Sequence, residues 1–502
     1  MGMKVVTFNL RCGNDPNGNS IEERAPRLKA VMDRYDADLV GFQEVTPAWM
    51  EHLTADFGDE YEIFNKYRAE KNLESTPMMW KKDQFECLDK GYFWLSDTPD
   101  IESKGWDTMG CYRICLWATL RSRKTGVEFT FFNTHYGFSD ACQLASGKLI
   151  MDHISAMKIK AAILTADFNM TPNSAGYRQL TSYFVDVNAK TANDTRTTFH
   201  GYNLEHTGSL IDFCFVTPDT ITPLASKRID DLVDGKFPSD HYGVYSEIDV
   251  REKLSLVTFN VCNNSNLGKS PEERCRAMRG VLSRYSPDII GFQEVTPVWL
   301  KQFQKMKDYD FACQYRSVNQ KEATPIFWKK DLFDLVEEKH FWLSETPEQE
   351  SKGWGAMYHR ICTMVVLRHI ATGKKICCFN THFDFSDQNH VESAALLKAR
   401  AAEYAGMPVF CTADYNMNIG GAGYRAMRES FKDLRWEVAP RDFTPTINGF
   451  DVDMLPPMII DFVFTNGTGI RPLSYHVIDD CPRGVRLSDH NGIICTFTLE
   501  NE

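Results

Sequence analysis

The sequence contains no run of about 18 consecutive apolar residues, which excludes an ordinary membrane-spanning helix. It also lacks C-x-x-C pairs: the 15 cysteines, an odd number, are scattered, and Cys214 and Cys411 sit inside apolar runs. That usage argues against a disulfide framework and fits reduced, buried thiols in a cytoplasmic protein. The adjacent Cys377 and Cys378 are expected to point to opposite faces of one strand. No export leader is expected, because Met1-Gly2-Met3-Lys4 runs directly into Val5-Val6-Thr7-Phe8-Asn9 without a basic segment or cleavage site. Positive charge is in deficit as well. A formal net charge of -12 opposes the long-range attraction used to grip extended nucleic acid, and favours small phosphorylated molecules or short ends as ligands.

What is present is enough for two hydrophobic cores. The chain has 502 residues, 43% of them hydrophobic and 25% charged, whereas single cores stop growing near ~250–300 residues. A long-period repeat marks the division. Val6-Thr7-Phe8-Asn9 returns as Val257-Thr258-Phe259-Asn260, Gly41-Phe42-Gln43-Glu44 as Gly291-Phe292-Gln293-Glu294, and Ser103-Lys104-Gly105-Trp106 as Ser351-Lys352-Gly353-Trp354. Asn133-Thr134-His135 matches Asn380-Thr381-His382, and Ser239-Asp240-His241 matches Ser488-Asp489-His490, with counterparts always 247 to 251 residues apart. Such a constant offset means duplication of a whole domain rather than a solenoid. We place the domains at 1–250 and 251–502. No Gly/Ser-rich spacer separates them, so intramolecular contact between the copies is expected.

Each copy reads as many strands with a few helices. In the first, strands are expected at Lys4–Leu10, Asp38–Glu44, Pro77–Trp80, Tyr92–Leu95, Arg113–Leu120, Val127–Asn133, Ala161–Thr165, Ser209–Val216 and Tyr242–Ile248. Helices are expected from Ser20 to Tyr35, behind a serine cap, and from Gln143 to Met157. This α/β (α+β) pattern in ~250 residues points to a two-sheet sandwich flanked by helices.

The chemistry lies in polar residues placed immediately after apolar strands, where a sheet delivers them to one edge. In the first copy these are Asn9, Glu44, His135, Asp167, Asn169, Asp212, Asp240 and His241. The second supplies Asn260, Glu294, His382, Asp414, Asn416, Asp461, Asp489 and His490. Hard divalent cations take oxygen ligands, and Mg²⁺ is typically held by one or two carboxylates, a role that suits Glu44 and Glu294. Asp167 and Asn169, one residue apart, are expected on the same face of a strand, holding an attacking water beside a phosphate. Asp212 is expected to fix the tautomer and charge of His241. Any one of these residues alone is more often a turn-former or cap; eight recurring in both copies are not. Arg113 and Arg360 read either as salt-bridge formers or as contacts to substrate phosphate, and Trp106 and Trp354 as core aromatics.

In order and spacing, Thr7-Phe8-Asn9, Gln43-Glu44, Asn133-Thr134-His135, Ala166-Asp167-Phe168-Asn169, Ile211-Asp212-Phe213 and Ser239-Asp240-His241 resemble the endonuclease/exonuclease/phosphatase superfamily, the DNase I-like proteins. The blocks Phe93-Trp94-Leu95-Ser96 and Arg113-Ile114-Cys115 look like its bacterial-type branch. The resemblance covers essentially all of each copy. It implies two four-layer α/β/β/α sandwiches and Mg²⁺- or Mn²⁺-dependent hydrolysis of a phosphate ester. Carried over by position, it implies metal binding by Glu44 and Glu294, assisted by Asn9 and Asn260, with Asp240 and Asp489 near the ion. Asp167 and Asp414 would position or deprotonate water, and Asn169 and Asn416 would contact the phosphate. His241 and His490, oriented by Asp212 and Asp461, would stabilise the pentacovalent state. His135 and His382 would donate to a phosphate oxygen or the leaving group.

The chain departs from the pattern where many relatives continue Asn-Thr-His with Leu-Asp-His: it has Tyr136-Gly137-Phe138 and Phe383-Asp384-Phe385. Ala166 and Ala413 replace a usual glycine. The expected activity is therefore a metal-dependent phosphoesterase acting on a phosphorylated small molecule. A nuclease acting on short nucleic acid, or one catalytic copy beside a noncatalytic binding copy, are the alternatives.

Overall fold

Alternation of side chains along the strands sorts the apolar residues into layers. In the strand Met3–Asn9, Val5 faces one core, while Val6 and Phe8 face another. In Leu39–Gln43, Leu39 joins Val5, and Val40 and Phe42 join Val6. The computed structural model describes residues 2–106, 110–193, 195–203, 208–263, 270–450 and 458–500, and its contacts divide the chain into units Met1–Glu252 and Lys253–Glu502.

In the first unit, one six-stranded sheet runs in the order Ile221–Ile229, Gly243–Val250, Met3–Asn9, Leu39–Gln43, Met78–Lys81, Tyr61–Phe64. A second runs Val185–Asp186, Asp212–Val216, Ala162–Asp167, Glu128–His135, Ile114–Ser122, Phe85–Trp94. Val5, Leu39, Trp80, Phe131, Ile163 and Val216 form the core between the sheets. Helices Ile21–Tyr35 and Pro47–Phe57 cover the outer face of the first sheet through Leu28, Val31, Trp49 and Leu53. Helix Asp140–Ala156 covers the second through Ile150 and Ile154, packed on Phe132 and Leu164. The result is a four-layer α/β/β/α sandwich.

The second unit repeats it. Its sheets are ordered Tyr309–Ala312, Ile326–Lys329, Ile289–Gln293, Lys253–Asn260, Gly492–Leu499, Ile470–Ile478, and Phe333–Trp342, Ile361–His369, Lys375–His382, Val409–Asp414, Asp461–Thr465, Lys432–Asp433. Helices Pro271–Tyr285 and Asp387–Ala402 cover the two outer faces through Val281 and Leu397. Cys377 faces the outer core and Cys378 the inter-sheet core, and the cysteines are free thiols. Among the described residues, no helix is long and apolar enough to cross a membrane.

Ser20 caps its helix reciprocally with Glu23, and Ser270 does the same with Glu273. The helix Pro47–Phe57 and the strands Tyr61–Phe64 and Ile221–Ile229 were not legible in the pattern. Two expected strands end short of their observed limits: Glu128–His135 and Ala162–Asp167 pair in parallel up to Asp167 with His135, so both polar residues close the ladder rather than follow it.

Candidate active site

The two sheets meet at a polar floor just below their common edge. The Gln43 amide donates to Asn133 Oδ1 at 2.9 Å and to Thr7 Oγ1 at 3.0 Å. Asn133 donates back to the Phe42 carbonyl at 2.8 Å, and the Thr165 hydroxyl donates to Asn133 Oδ1 at 3.0 Å. A Cβ on Gly41 would collide with Asn133 Oδ1 and Thr165 Oγ1, so the glycine is what lets the sheets approach. The second unit rebuilds the floor with Gln293, Asn380, Thr412 and Gly291, the Gln293–Asn380 bond being 2.7 Å.

Above the floor, Asn9 ends its strand and spans the sheets. Its amide donates to Glu44 Oε1 at 3.1 Å and to Asp167 Oδ2 at 2.9 Å. Glu44 lies in left-handed backbone at φ 59°, which turns its side chain off the strand alternation at a cost of about 1–3 kcal/mol. Its other oxygen accepts from the Cys12 amide at 2.9 Å. Burial works to raise the Glu44 carboxyl, but the bonds from Cys12 and Asn9 outweigh it and leave it below the ordinary value. Asp240 is buried 3.8 Å from Arg11; burial raises its carboxyl and the nearby Glu44 adds to that, against the pull of His241.

Asp167 is the hub of the second sheet's contribution. It stands 3.5 Å from His135 Nε2 and 3.8 Å from His241 Nε2. Burial, then the Asp212 carboxylate, push it up to about 7. His241 lies 3.0 Å from Asp212 through Nδ1; burial opposes its charge, but Asp212 prevails and lifts it to about 10, so it is an imidazolium. His135 is the opposite case: burial, Arg113 and Arg68 hold it well below the usual range and keep it neutral. Among the described residues, Asp212 Oδ1 is buried without a hydrogen-bond partner.

Two expectations need correction. Asn169 does not share a strand face with Asp167, because the strand stops at Asp167 and Asn169 turns into left-handed backbone at φ 49°. There its amide N–H donates to Asp167 Oδ1 at 2.9 Å and its side chain reaches His135 Nε2 at 3.0 Å. Nor do all the acids follow strands. Asp212 begins Asp212–Val216, and Asp240 and His241 precede Gly243–Val250. Both strands are antiparallel to their neighbours, so their starts lie at the edge where Asn9 and Asp167 end theirs.

The second unit matches closely. Asn260 donates to Glu294 at 3.3 Å and Asp414 at 2.9 Å, Glu294 has φ 61°, and the Asn263 amide donates to Glu294 at 2.8 Å. His382 and His490 stand 3.4 and 3.6 Å from Asp414, and His490 is 2.9 Å from Asp461. Asn416 donates to Asp414 and meets His382 at 3.0 Å. Asp489 accepts from Ser488 at 3.1 Å. Asp167, Asp212 and His241 gather ligand-type atoms within 4.8 Å, as do Asp414, Asp461 and His490, so each cluster could hold a metal ion.

The sequence pattern of the endonuclease/exonuclease/phosphatase family matches residues 6–241 and again 257–490. The chain belongs to that family. Members of the endonuclease/exonuclease/phosphatase family are hydrolases of phosphate esters. Solved structures similar to it include a family member from Bacteroides vulgatus, with 28% identity and TM-score 0.47, covering 50% of this chain and 99% of that one. Another family member, from Bacteroides thetaiotaomicron, has 26% identity and TM-score 0.47 with the same coverage. A mannosyl-6-phosphatase from Bacteroides thetaiotaomicron VPI-5482 has 28% identity and TM-score 0.43, covering 49% and 99%. Comparison with curated proteins gives no match.

Around this family site lie residues that the motifs did not single out. Arg68 is 2.9 Å from His135 Nδ1 and 2.5 Å from Glu74; Arg316 and Glu322 repeat the pair beside His382. The repeat carried the signal, since Tyr67-Arg68 and Glu74 return as Tyr315-Arg316 and Glu322. Arg113 and Arg360 are buried near these arginines, and Arg360 lies 3.6 Å from Asp384. Trp106 and Trp354 pack half-buried at the edge of the outer cores.

Proposed function

We propose that each copy hydrolyses a phosphodiester or phosphomonoester of a small or short substrate with a divalent metal ion, Mg²⁺ or Mn²⁺, by in-line attack of water. The observation that carries the reading is Asp167, and Asp414 after it. Each is a buried carboxylate facing an imidazolium oriented by a second aspartate, and each is joined through an asparagine to a glutamate held in strained backbone.

The donor set fits a hard cation, being carboxylate oxygen on the Glu44 side: Glu44 and Asp240, with Glu294 and Asp489 in the second copy, while Asn9 and Asn260 hold the acids through their amide N–H groups. The trio Asp167, Asp212 and His241 fits less well, because an imidazolium has no lone pair to offer. A bound ion would supply positive charge to the phosphoryl oxygens. The chain's residues would do the rest. Asp167, lifted toward neutral pH, accepts the proton of the attacking water. His241, held charged by Asp212, donates Nε2–H to a phosphoryl oxygen as its charge grows. The Asn169 amide holds a second oxygen, and neutral His135 donates toward the leaving group. The same set of distances in both units supports two catalytic copies.

Asp167→Asn combined with Asp414→Asn is the test. Turnover of a generic aryl phosphodiester in Mg²⁺ should fall about 10²–10⁴-fold at each site; wild-type activity in the double variant overturns the assignment. Comparing a nucleotide, an aryl phosphodiester and a plasmid separates the small-molecule reading from a nuclease.

A further inference from the structure

Two buried arginines stand behind each active-site histidine, and their surroundings differ between the copies. In the first, Arg68 pairs with Glu74, but Arg113, 3% exposed, has no carboxylate beside it among the described residues. Its Nε and Nη1 are buried without a hydrogen-bond partner. The ring of Phe138, itself exposed, covers the guanidinium at 5.6 Å. In the second copy, Arg316 pairs with Glu322, and buried Asp384 lies 3.6 Å from Arg360. Tyr358 covers both guanidiniums at 5.2 and 5.4 Å, and its amide donates to Asp384 at 3.0 Å. Gly137 stands where Asp384 does, and Cys111 where Tyr358 does.

Among the described residues, the first cluster thus sets two cations against one carboxylate, and the second sets two against two. A buried guanidinium with idle donors is unfavourable until an anion completes it. Arg113 lies close enough to His135 to oppose its charge, and His135 stands 3.5 Å from Asp167, so an anion against Arg113 belongs to the molecule being hydrolysed.

We propose that the copies divide their substrates by charge: Arg113 in the first receives a second anionic group of the substrate, phosphate or carboxylate, that is not the one hydrolysed. In the second copy Arg360 Nε is likewise without a hydrogen-bond partner, but Asp384, 3.6 Å away, already balances its charge, and that site takes substrates neutral at this position. The proposal rests on the phosphoesterase reading above.

Inorganic sulfate, titrated by calorimetry into the full chain in EDTA, tests it without turnover. One sulfate per chain is expected for the wild type, none for Gly137→Asp, and two for Asp384→Gly. Undiminished binding in Gly137→Asp overturns the proposal, as does wild-type protein that binds none. Should Gly137→Asp fail to fold, Arg113→Gln replaces it, with the same loss expected.

A second arm uses turnover. In the Asp414→Asn background, a sugar bisphosphate and a phosphorylated sugar acid are compared with the matching neutral sugar monophosphate. One of the two substrates that carry a second anionic group should show about 10-fold higher kcat/KM, carried by KM, through a charge-assisted pair with Arg113. Which one does so tells phosphate from carboxylate. The preference should vanish in Gly137→Asp and be absent in the Asp167→Asn background; equal kcat/KM for all three substrates in Asp414→Asn overturns the proposal. If no phosphate ester is hydrolysed in either background, the hydrolase reading fails, and the sulfate stoichiometry still decides this one.

Discussion

The two copies keep the same distances where the buried acids and histidines cluster and differ in the residues beside them. Asn9 and Asn260 each reach their aspartate at 2.9 Å, and the paired histidines stand 3.0 and 2.9 Å from Asp212 and Asp461. One side chain away, Gly137 takes the place that Asp384 has in the other copy, and Cys111 that of Tyr358. Buried charges tolerate little displacement, because each is completed only by its partner. A pocket wall has no such constraint. The lesson is that duplication can hold a buried cluster of charges fixed and let the residues within a few ångströms of it drift.

The largest effect that would break the likeness is catalytic. Asp167→Asn alone and Asp414→Asn alone should each leave the other copy working. On a substrate used by both, the two residual rates should sum to the wild-type rate; loss of all activity in one single variant would mean that only that copy is catalytic.

Metal removal comes next. EDTA should abolish turnover in both copies, and returning Mg²⁺ or Mn²⁺ should raise the melting temperature. The sign with pH follows from the carboxyls. Burial and Asp212 push Asp167 up to about 7, while burial, opposed by His490 and helped by Asp461, pushes Asp414 up to about 6. Unfolded aspartates titrate near 3.9, so the metal-free fold binds these protons more tightly than the unfolded chain. That contribution is complete below about pH 4 and is lost as pH rises through about 6 to 7. Added metal needs Asp240 ionised, and burial raises that carboxyl as well, so its stabilisation should be larger at pH 8 than at pH 5 in thermal melts.

Smaller changes sharpen the comparison of the scaffolds. Gly41→Ala and Gly291→Ala each insert a Cβ against the asparagine and threonine of the floor, and each should cost about 1–3 kcal/mol by denaturant titration. Smallest, Ser20→Ala and Ser270→Ala remove matching capping boxes and should each cost about 1 kcal/mol with no change in kcat. Unequal losses would show that one unit carries more of the stability than its twin.

Much of this was legible because local chemistry repeats along the chain. The Ser20 helix, the strand leading to Asn9 and the acids themselves follow from caps, alternation and strand ends. Asn169 was misplaced because a left-handed turn leaves no trace in polarity, and Asp212 because sequence alone does not say at which edge an antiparallel strand begins. The Arg68–Glu74 pair left no mark in the polarity pattern for a different reason. An arginine and a glutamate on the short paired strands Tyr67–Ala69 and Asn72–Ser75 look like solvated surface until the fold buries them together.

Asn9 and Glu44 ride on one sheet, His135, Asp167 and Asp212 on the other, and Gln43 with Asn133 bolts the two across their gap. Productive geometry tolerates only about 0.5 Å of error. Sliding of one sheet along its partner would therefore silence a unit whose helices and strands all remained intact. Gently warmed protein should lose turnover before it loses circular dichroism, and a Gly41→Ala chain should do so at a lower temperature still.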